Sequence, residues 1–260
     1  MARRALFGAV VFGLTLAILG GGDSAAGAWT RAEGEGFASQ TVRYYSTEPN
    51  TSADVDYARA SLGLYAEYGV TERLTLGFDA DQGGRLDEVG YGAQDGRIGG
   101  FARVLLWTGA TGDVVSAEIG ASTPLSGVGA ATAPGVDDSD EIKILARYGR
   151  GVETPFGSGW TEGAFGFSRF LGPRADEFRL DLTFGVRPSE NWVALAQFFG
   201  EKGRRNADFG GTDFDLGKLQ LSVGRRLFGE KTLLVGFAHD VITRGTTPGY
   251  EVSLTLWSTF

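Results

Sequence analysis

Charged side chains recur at even spacings along short stretches of this 260-residue chain. Arg59 is followed by Glu67, Asp79 by Asp81, Lys143 by Arg147, Arg179 by Asp181 and Lys218 by Arg226, with Arg103, Glu118, Glu162 and Glu251 in stretches of the same kind. An even spacing puts side chains on one face of an extended strand, because successive residues point to opposite sides. Charges of both signs gathered on the inside of a closed sheet can do two things. They can brace it as cross-strand ion pairs, or they can line a hydrated path that selects a polar solute. Both readings of the inward set stand open on the sequence alone.

Other chemistry has little to work with. Covalent or acid–base catalysis in a membrane-bound hydrolase calls for a histidine with a serine or acid partner. The single histidine is His239, and its neighbour Asp240 falls on the opposite face of a strand. No catalytic residue, metal site or cofactor is expected, since neither a phosphate-binding glycine loop nor a His/Cys cluster occurs. Val136-Asp137-Asp138-Ser139-Asp140-Glu141 is dense in the oxygen ligands calcium takes, but it lacks the spacing and glycine of a helix-loop-helix calcium loop and reads as a solvated acidic loop. Lys202-Gly203-Arg204-Arg205 could meet lipopolysaccharide phosphates or simply face water. A formal charge of −8 argues against nucleic acid as a partner.

The elements that carry these charges alternate strictly. The plainest is Phe178, Leu180, Leu182, Phe184 and Val186 against Arg179, Asp181, Thr183, Gly185 and Arg187. Ala58 to Tyr68, Leu74 to Asp81, Val115 to Ser122, Ile142 to Tyr148 and Leu219 to Arg226 follow the same rule. Phe101, Arg103, Leu105 and Trp107 are expected to share an inward face. Trp160 to Phe170 is blurred, and Trp192 to Glu201 is set by placing Gln197 inward. Long polar links are expected at 46–56, 82–96, 124–140 and 202–213, with short ones between them. The expected fold is all-β, an up-and-down antiparallel barrel of about twelve strands, an even number as single-chain bacterial barrels require. A soluble barrel or sandwich would alternate too, with its apolar face turned inward. The strand number and the long–short rhythm of the links favour the apolar face turned out to lipid.

Both ends of the sequence agree with this. Arg3 and Arg4, the apolar run from Ala5 to Leu19, and Ala26-Gly27-Ala28 have the layout of a secretory leader, expected over residues 1–28 with the barrel over 29–260. The absence of cysteine leaves no lipid-anchoring thiol. At the other end Val252, Leu254, Leu256 and Phe260 share a side. An alternating last strand that closes on an aromatic residue resembles the assembly signal of Gram-negative outer-membrane β-barrel proteins, with Ser258 a departure from the family's apolar habit. The resemblance implies the cell outer membrane as the location. It implies outer-membrane lipid and lipopolysaccharide as surroundings, and the barrel-assembly machinery as a partner through Phe260. Ala28-Trp29-Thr30 followed by Gly34-Glu35-Gly36 resembles the opening of XagA-type outer-membrane proteins, which implies a link to exopolysaccharide. The expected function is a channel or transport-associated barrel for small polar solutes or a polysaccharide. The alternative is a structural or surface-interaction barrel with a plugged lumen, and a lipid-processing enzyme is a more distant one.

Overall fold

In a computed structural model, which describes residues 27–47, 57–87, 90–125, 139–172, 174–204 and 213–260, every regular element is a strand. Twelve strands form one closed antiparallel barrel. They are β1 (Gly36–Thr47), β2 (Ala58–Thr71), β3 (Leu74–Asp87), β4 (Gly90–Thr108), β5 (Val114–Pro124), β6 (Glu141–Thr154), β7 (Gly157–Phe170), β8 (Asp176–Ser189), β9 (Trp192–Arg204), β10 (Phe214–Arg226), β11 (Lys231–Arg244) and β12 (Gly249–Thr259). Each strand pairs with its neighbours in sequence, and β1 closes the ring on β12 from Phe37↔Thr259 to Thr47↔Gly249. The seam is tied at its lower end, where the Gly36 N–H donates to the Phe260 carbonyl at 2.6 Å and the Phe260 N–H to the Gly36 carbonyl at 3.0 Å. Closure is obligatory in hydrocarbon, where an open strand edge has no water to satisfy it.

The apolar face points outward. On β8, Phe178, Leu180, Leu182 and Phe184 are all exposed, and the same holds for Ile144 on β6, at 60% exposure, and for Leu221 on β10. A continuous outer belt of leucine, valine, isoleucine and phenylalanine is untenable in water and is the surface a bilayer covers. Inside β8, Arg179 and Asp181 take the other face, so the register fixed by hydrophobic alternation is the lipid-facing one. Five short links, Glu72–Arg73, Gly109–Asp113, Pro155–Phe156, Glu190–Asn191 and Leu227–Glu230, share an end with Gly36 and Phe260, the periplasmic end in this class. Tyr68, Trp107, Tyr148, Phe156, Trp192 and Phe228 are exposed near that end and form the aromatic girdle expected at a membrane–water boundary.

Two expectations change. The segment 82–96 is not a long loop: β3 runs on to Asp87 and β4 begins at Gly90. At about 3.4 Å per residue the 19 residues of β4 make a contour twice that of the roughly 9–11 residues a tilted strand needs to span a bilayer. This hairpin therefore projects beyond the hydrocarbon. There the outward face meets water, and apolar alternation is no longer demanded of it. Trp107 does not face inward but is 53% exposed, because the register slips between Leu105 and Trp107. One extra residue reverses the parity of everything after it.

Candidate functional site

The lower half of the barrel interior is occupied by the chain's own beginning. Residues 27–35 cross the inside of the periplasmic mouth from the foot of β2 and β3 to the inner faces of β5, β6 and β7. Near β2 the Gly34 N–H donates to the Gly69 carbonyl and the Gly69 N–H to the Glu35 carbonyl, both at 2.9 Å. Thr30 Oγ1 donates to the Glu72 carbonyl at 3.0 Å, and the Arg31 N–H to Thr75 Oγ1 at 2.8 Å. Across the lumen the Trp29 carbonyl accepts from Arg103 Nη1 at 3.2 Å and the Ala28 carbonyl from Ser116 Oγ at 2.7 Å. Two strand glycines give the segment room. A Cβ on Gly69 would lie 2.0 Å from the Ala32 carbonyl oxygen, and one on Gly149 would lie 2.7 Å from the Ala28 methyl and 2.8 Å from the Trp29 ring.

A line of alternating charges holds the segment. Arg31 donates through Nε to Glu67 Oε1 at 2.5 Å and lies over the Phe37 ring at 4.7 Å. Glu67 Oε2 accepts from Arg103 Nη1 at 3.0 Å and from the Tyr65 hydroxyl at 2.8 Å. Arg103 Nη2 donates to Glu118 Oε2 at 3.0 Å and to the Tyr65 hydroxyl at 3.1 Å. Arg147 takes the far side of Glu118 through Nε at 3.0 Å. Arg103 is 0% exposed, and Glu67 and Glu118 are nearly so. Charges this deep are tolerated only when their oxygens and nitrogens find partners, and Glu67, Arg103 and Glu118 all have them. The opposite wall is apolar. Trp160, Val193, Leu195 and Leu234 form a buried cluster against which Trp29 and Trp257 pack. Together the two walls and the crossing segment fill much of the periplasmic half with buried side chains.

The extracellular half is different. Asp81 lies between Arg43 Nη1 at 3.0 Å and Arg59 Nη2 at 2.7 Å. Glu251 lies between Lys218 Nζ at 3.1 Å and Arg43 Nε at 3.9 Å. Lys143 faces Asp79 at 3.6 Å, Arg179 faces Glu201 at 3.6 Å, and the Tyr45 hydroxyl donates to Asp240 at 2.8 Å. Most of these side chains keep a substantial part of their surface open, so this is a wet, mixed-charge vestibule in which each pair contributes about 0–1 kcal/mol. On the β4–β8 side its rim is roofed: Arg97 Nη2 donates to the Ser139 carbonyl at 2.8 Å, and Arg174 lies over Phe170 at 4.2 Å.

Among the residues expected in the lumen, the structure brings Glu67, Arg103, Glu118 and Arg147 into the lower cluster. It places Arg59, Asp79, Asp81, Lys143, Arg179, Asp181, Lys218 and Glu251 on the inner wall above them. Glu162 faces the start of the chain. Arg226 stands apart at the periplasmic rim, 3.8 Å from Glu230 of the next turn. Nothing in the sequence marks Arg31, which lies in an aperiodic polar stretch ahead of β1. Arg43 was also passed over, although Val42 and Tyr44 beside it point out. Arg97 falls between the expected link 82–96 and the alternation that begins at Phe101, in a glycine-rich stretch with no period to mark it. The parity that sets Gln197 inward on β9 holds and turns Val193 and Leu195 inward with it, but that they meet Trp160 of the blurred β7 and Leu234 in one apolar cluster is visible only in the closed ring. His239 shares the outward face of β11 with Val235 and Phe237, and Asp240 turns inward to Tyr45 and the Gly249 N–H. In the acidic stretch, Asp137 and Asp138 lie outside the described residues, as does Arg205 of the basic one. Lys202 and Arg204 sit at the top of β9 against Asp215.

These features define a transmembrane β-barrel of the bacterial outer-membrane type, whose lipid-facing belt places it in the outer membrane. By sequence the chain matches no protein-family model and none of the curated proteins. Its fold matches solved outer-membrane barrels at low identity. An outer membrane channel from Pseudomonas putida F1 aligns with a TM-score of 0.63 at 11% identity, over 92% of this chain and 100% of that one. The KdgM porin, solved in complex with disordered oligogalacturonate, aligns with a TM-score of 0.54 at 6% identity, over 85% and 99%. The β domain of the Bordetella autotransporter BrkA gives 0.53 at 13%, over 88% and 100%.

Proposed function

We propose that this barrel is an outer-membrane channel for small polar solutes that its own N-terminal segment holds shut at the periplasmic end. The observation that carries the reading is the contrast between the two halves of the lumen. A barrel of this strand number is too wide for wall side chains alone to fill, and the crossing segment 27–35 supplies the missing filling at one end only. Above it the vestibule presents paired charges of both signs, a lining suited to small polar or zwitterionic solutes. Two of the similar structures are a channel and a porin, which is in keeping with this use of the fold. A polysaccharide, the solute class suggested by the XagA-like opening, is the finer alternative.

Planar-bilayer recording tests the proposal. Wild-type protein is expected to conduct rarely and in brief openings. A variant lacking residues 27–35 is expected to conduct steadily, with ion selectivity that shifts when Asp81 or Arg59 is neutralised. A correctly folded deletion variant that passes no current would sink the channel reading. It would favour the second one, a structural barrel whose lumen is filled on purpose, for which the largely filled lower half is the supporting observation.

A further inference from the structure

The first described residues fit the barrel wall atom by atom. Gly27 packs against the Glu162 carboxylate so closely that a Cβ there would lie 2.1 Å from Oε2. Ala28 is 1% exposed. Its N–H donates to Glu162 Oε1 at 3.4 Å, its carbonyl accepts from Ser116 Oγ, and its methyl sits opposite Gly149. Among the described residues Glu162 has no cation within ion-pair distance and no hydrogen-bond donor besides the Ala28 N–H, itself a long contact. Arg147 and Arg103, the nearest basic groups, are committed to Glu118 and Glu67. A carboxylate in such a place calls for a cation aimed at it.

A leader-cleaving peptidase needs small residues one and three positions before the cut. Around the first described residues three cuts meet that: after Ala28, after Gly27 (Ala25-Ala26-Gly27) and after Ala26 (Ser24-Ala25-Ala26). The first discards both residues that fit against Glu162, Ser116 and Gly149, and the second discards Gly27, the residue packed on the Glu162 carboxylate. We infer that the leader is cut between Ala26 and Gly27, and that the α-ammonium so created is the counter-ion of Glu162. Hydrolysis of the Ala26–Gly27 amide consumes one water and leaves a carboxylate on Ala26 and an ammonium on Gly27. Processing then completes the plug: a new positive charge locks the free end of the segment to β7, on the far side of the lumen from its anchorage at β2. The inference does not depend on whether the lumen conducts.

The test uses protein extracted from outer membranes. Intact mass and N-terminal sequencing are expected to give a chain beginning Gly-Ala-Trp, and a start at Ala28 or Trp29 would overturn the assignment. Ser24→Gln blocks the first position of the inferred site and is expected to leave the leader attached. Efficient processing of that variant counts against the site. The ion pair is read separately by reaction of the terminal amine with an acylating reagent in detergent. In the folded protein the amine is expected to react at least about tenfold more slowly than in the urea-unfolded chain, and Glu162→Gln is expected to remove most of that protection. Equal reactivity in the folded wild type and the folded Glu162→Gln variant refutes the pairing.

Discussion

Replacing Arg103 by methionine asks whether the buried charge line holds the plug. Methionine keeps most of the volume and removes the guanidinium. Five hydrogen bonds disappear with it: two to Glu118 and one each to Glu67, the Tyr65 hydroxyl and the Trp29 carbonyl. Removing one member of a buried ion pair costs about 3–5 kcal/mol when its partner is left uncompensated. Here Glu67 keeps Arg31 and Glu118 keeps Arg147, so the lower end, about 3 kcal/mol, is expected. Urea unfolding in lipid vesicles, followed by tryptophan fluorescence, measures that loss. The same variant should lose its hold on the Trp29 carbonyl, and trypsin should then cut after Arg31 in the folded barrel, where it does not cut wild type. Arg226→Met is the control, since Arg226 stands at the solvent rim and its ion pair is worth about 0–1 kcal/mol. If Arg103→Met costs less than about 1 kcal/mol and Arg31 stays protected, the charge line is not what fixes the segment.

Leu180→Arg puts a cation into the lipid-facing belt and should cost about 2–4 kcal/mol in vesicle unfolding; an unchanged midpoint would mean that Leu180 does not meet hydrocarbon. Gly77→Ala places a methyl 1.9 Å from Phe101 Cζ, on a ring stacked with Tyr65 at 5.6 Å, and should cost about 1–3 kcal/mol, whereas Gly151→Ala has nothing within 4 Å and should change little. In the periplasmic turn, hydrogen bonds from Thr111 and then Tyr148 hold the Asp113 carboxyl below its usual range. A depressed acid contributes stability in full above the ordinary carboxylate value of about 4 and loses it as pH falls through its lowered value. The gap between wild type and Asp113→Asn should therefore be constant near neutrality and close in strong acid; a gap independent of pH down to full protonation would contradict the bonding.

The barrel was legible because a bilayer imposes one rule on every spanning residue. Where that rule acts, as on Phe178 to Val186, the parity is unmistakable and the inward charges follow from it. Where it lapses, the sequence gives no such guide. The β3–β4 hairpin leaves the hydrocarbon, so its outward positions need not be apolar and 82–96 looks like a loop. The bulge before Trp107 changes parity with no glycine or proline to announce it. Residues 29–35 carry no period at all. Their role rests on contacts such as Arg31 with Glu67 and Trp29 with the buried apolar cluster of Trp160, Val193, Leu195 and Leu234, which only the closed barrel creates. Length and parity within a strand are local, whereas filling of a lumen is a property of the whole ring.

The two walls that grip the plug are unlike in what release would involve. On the charged wall Glu67, Arg103 and Glu118 stay paired with one another when the segment leaves, and Arg31, the one charge that goes, recovers its hydration, which offsets the loss of its pair with Glu67. On the apolar wall Trp29 gains nothing from water when it leaves Trp160, Val193, Leu195 and Leu234. Directional ion pairs therefore set where the segment lies, and the tryptophan seat sets how firmly it stays. That division suits the closure proposed above, fixed in position by the ion pairs and held by the tryptophan. It also accounts for the arrangement of glycines: Gly69 and Gly149 mark the two sides of the path, where the backbone of the wall has to stand clear for the chain to cross.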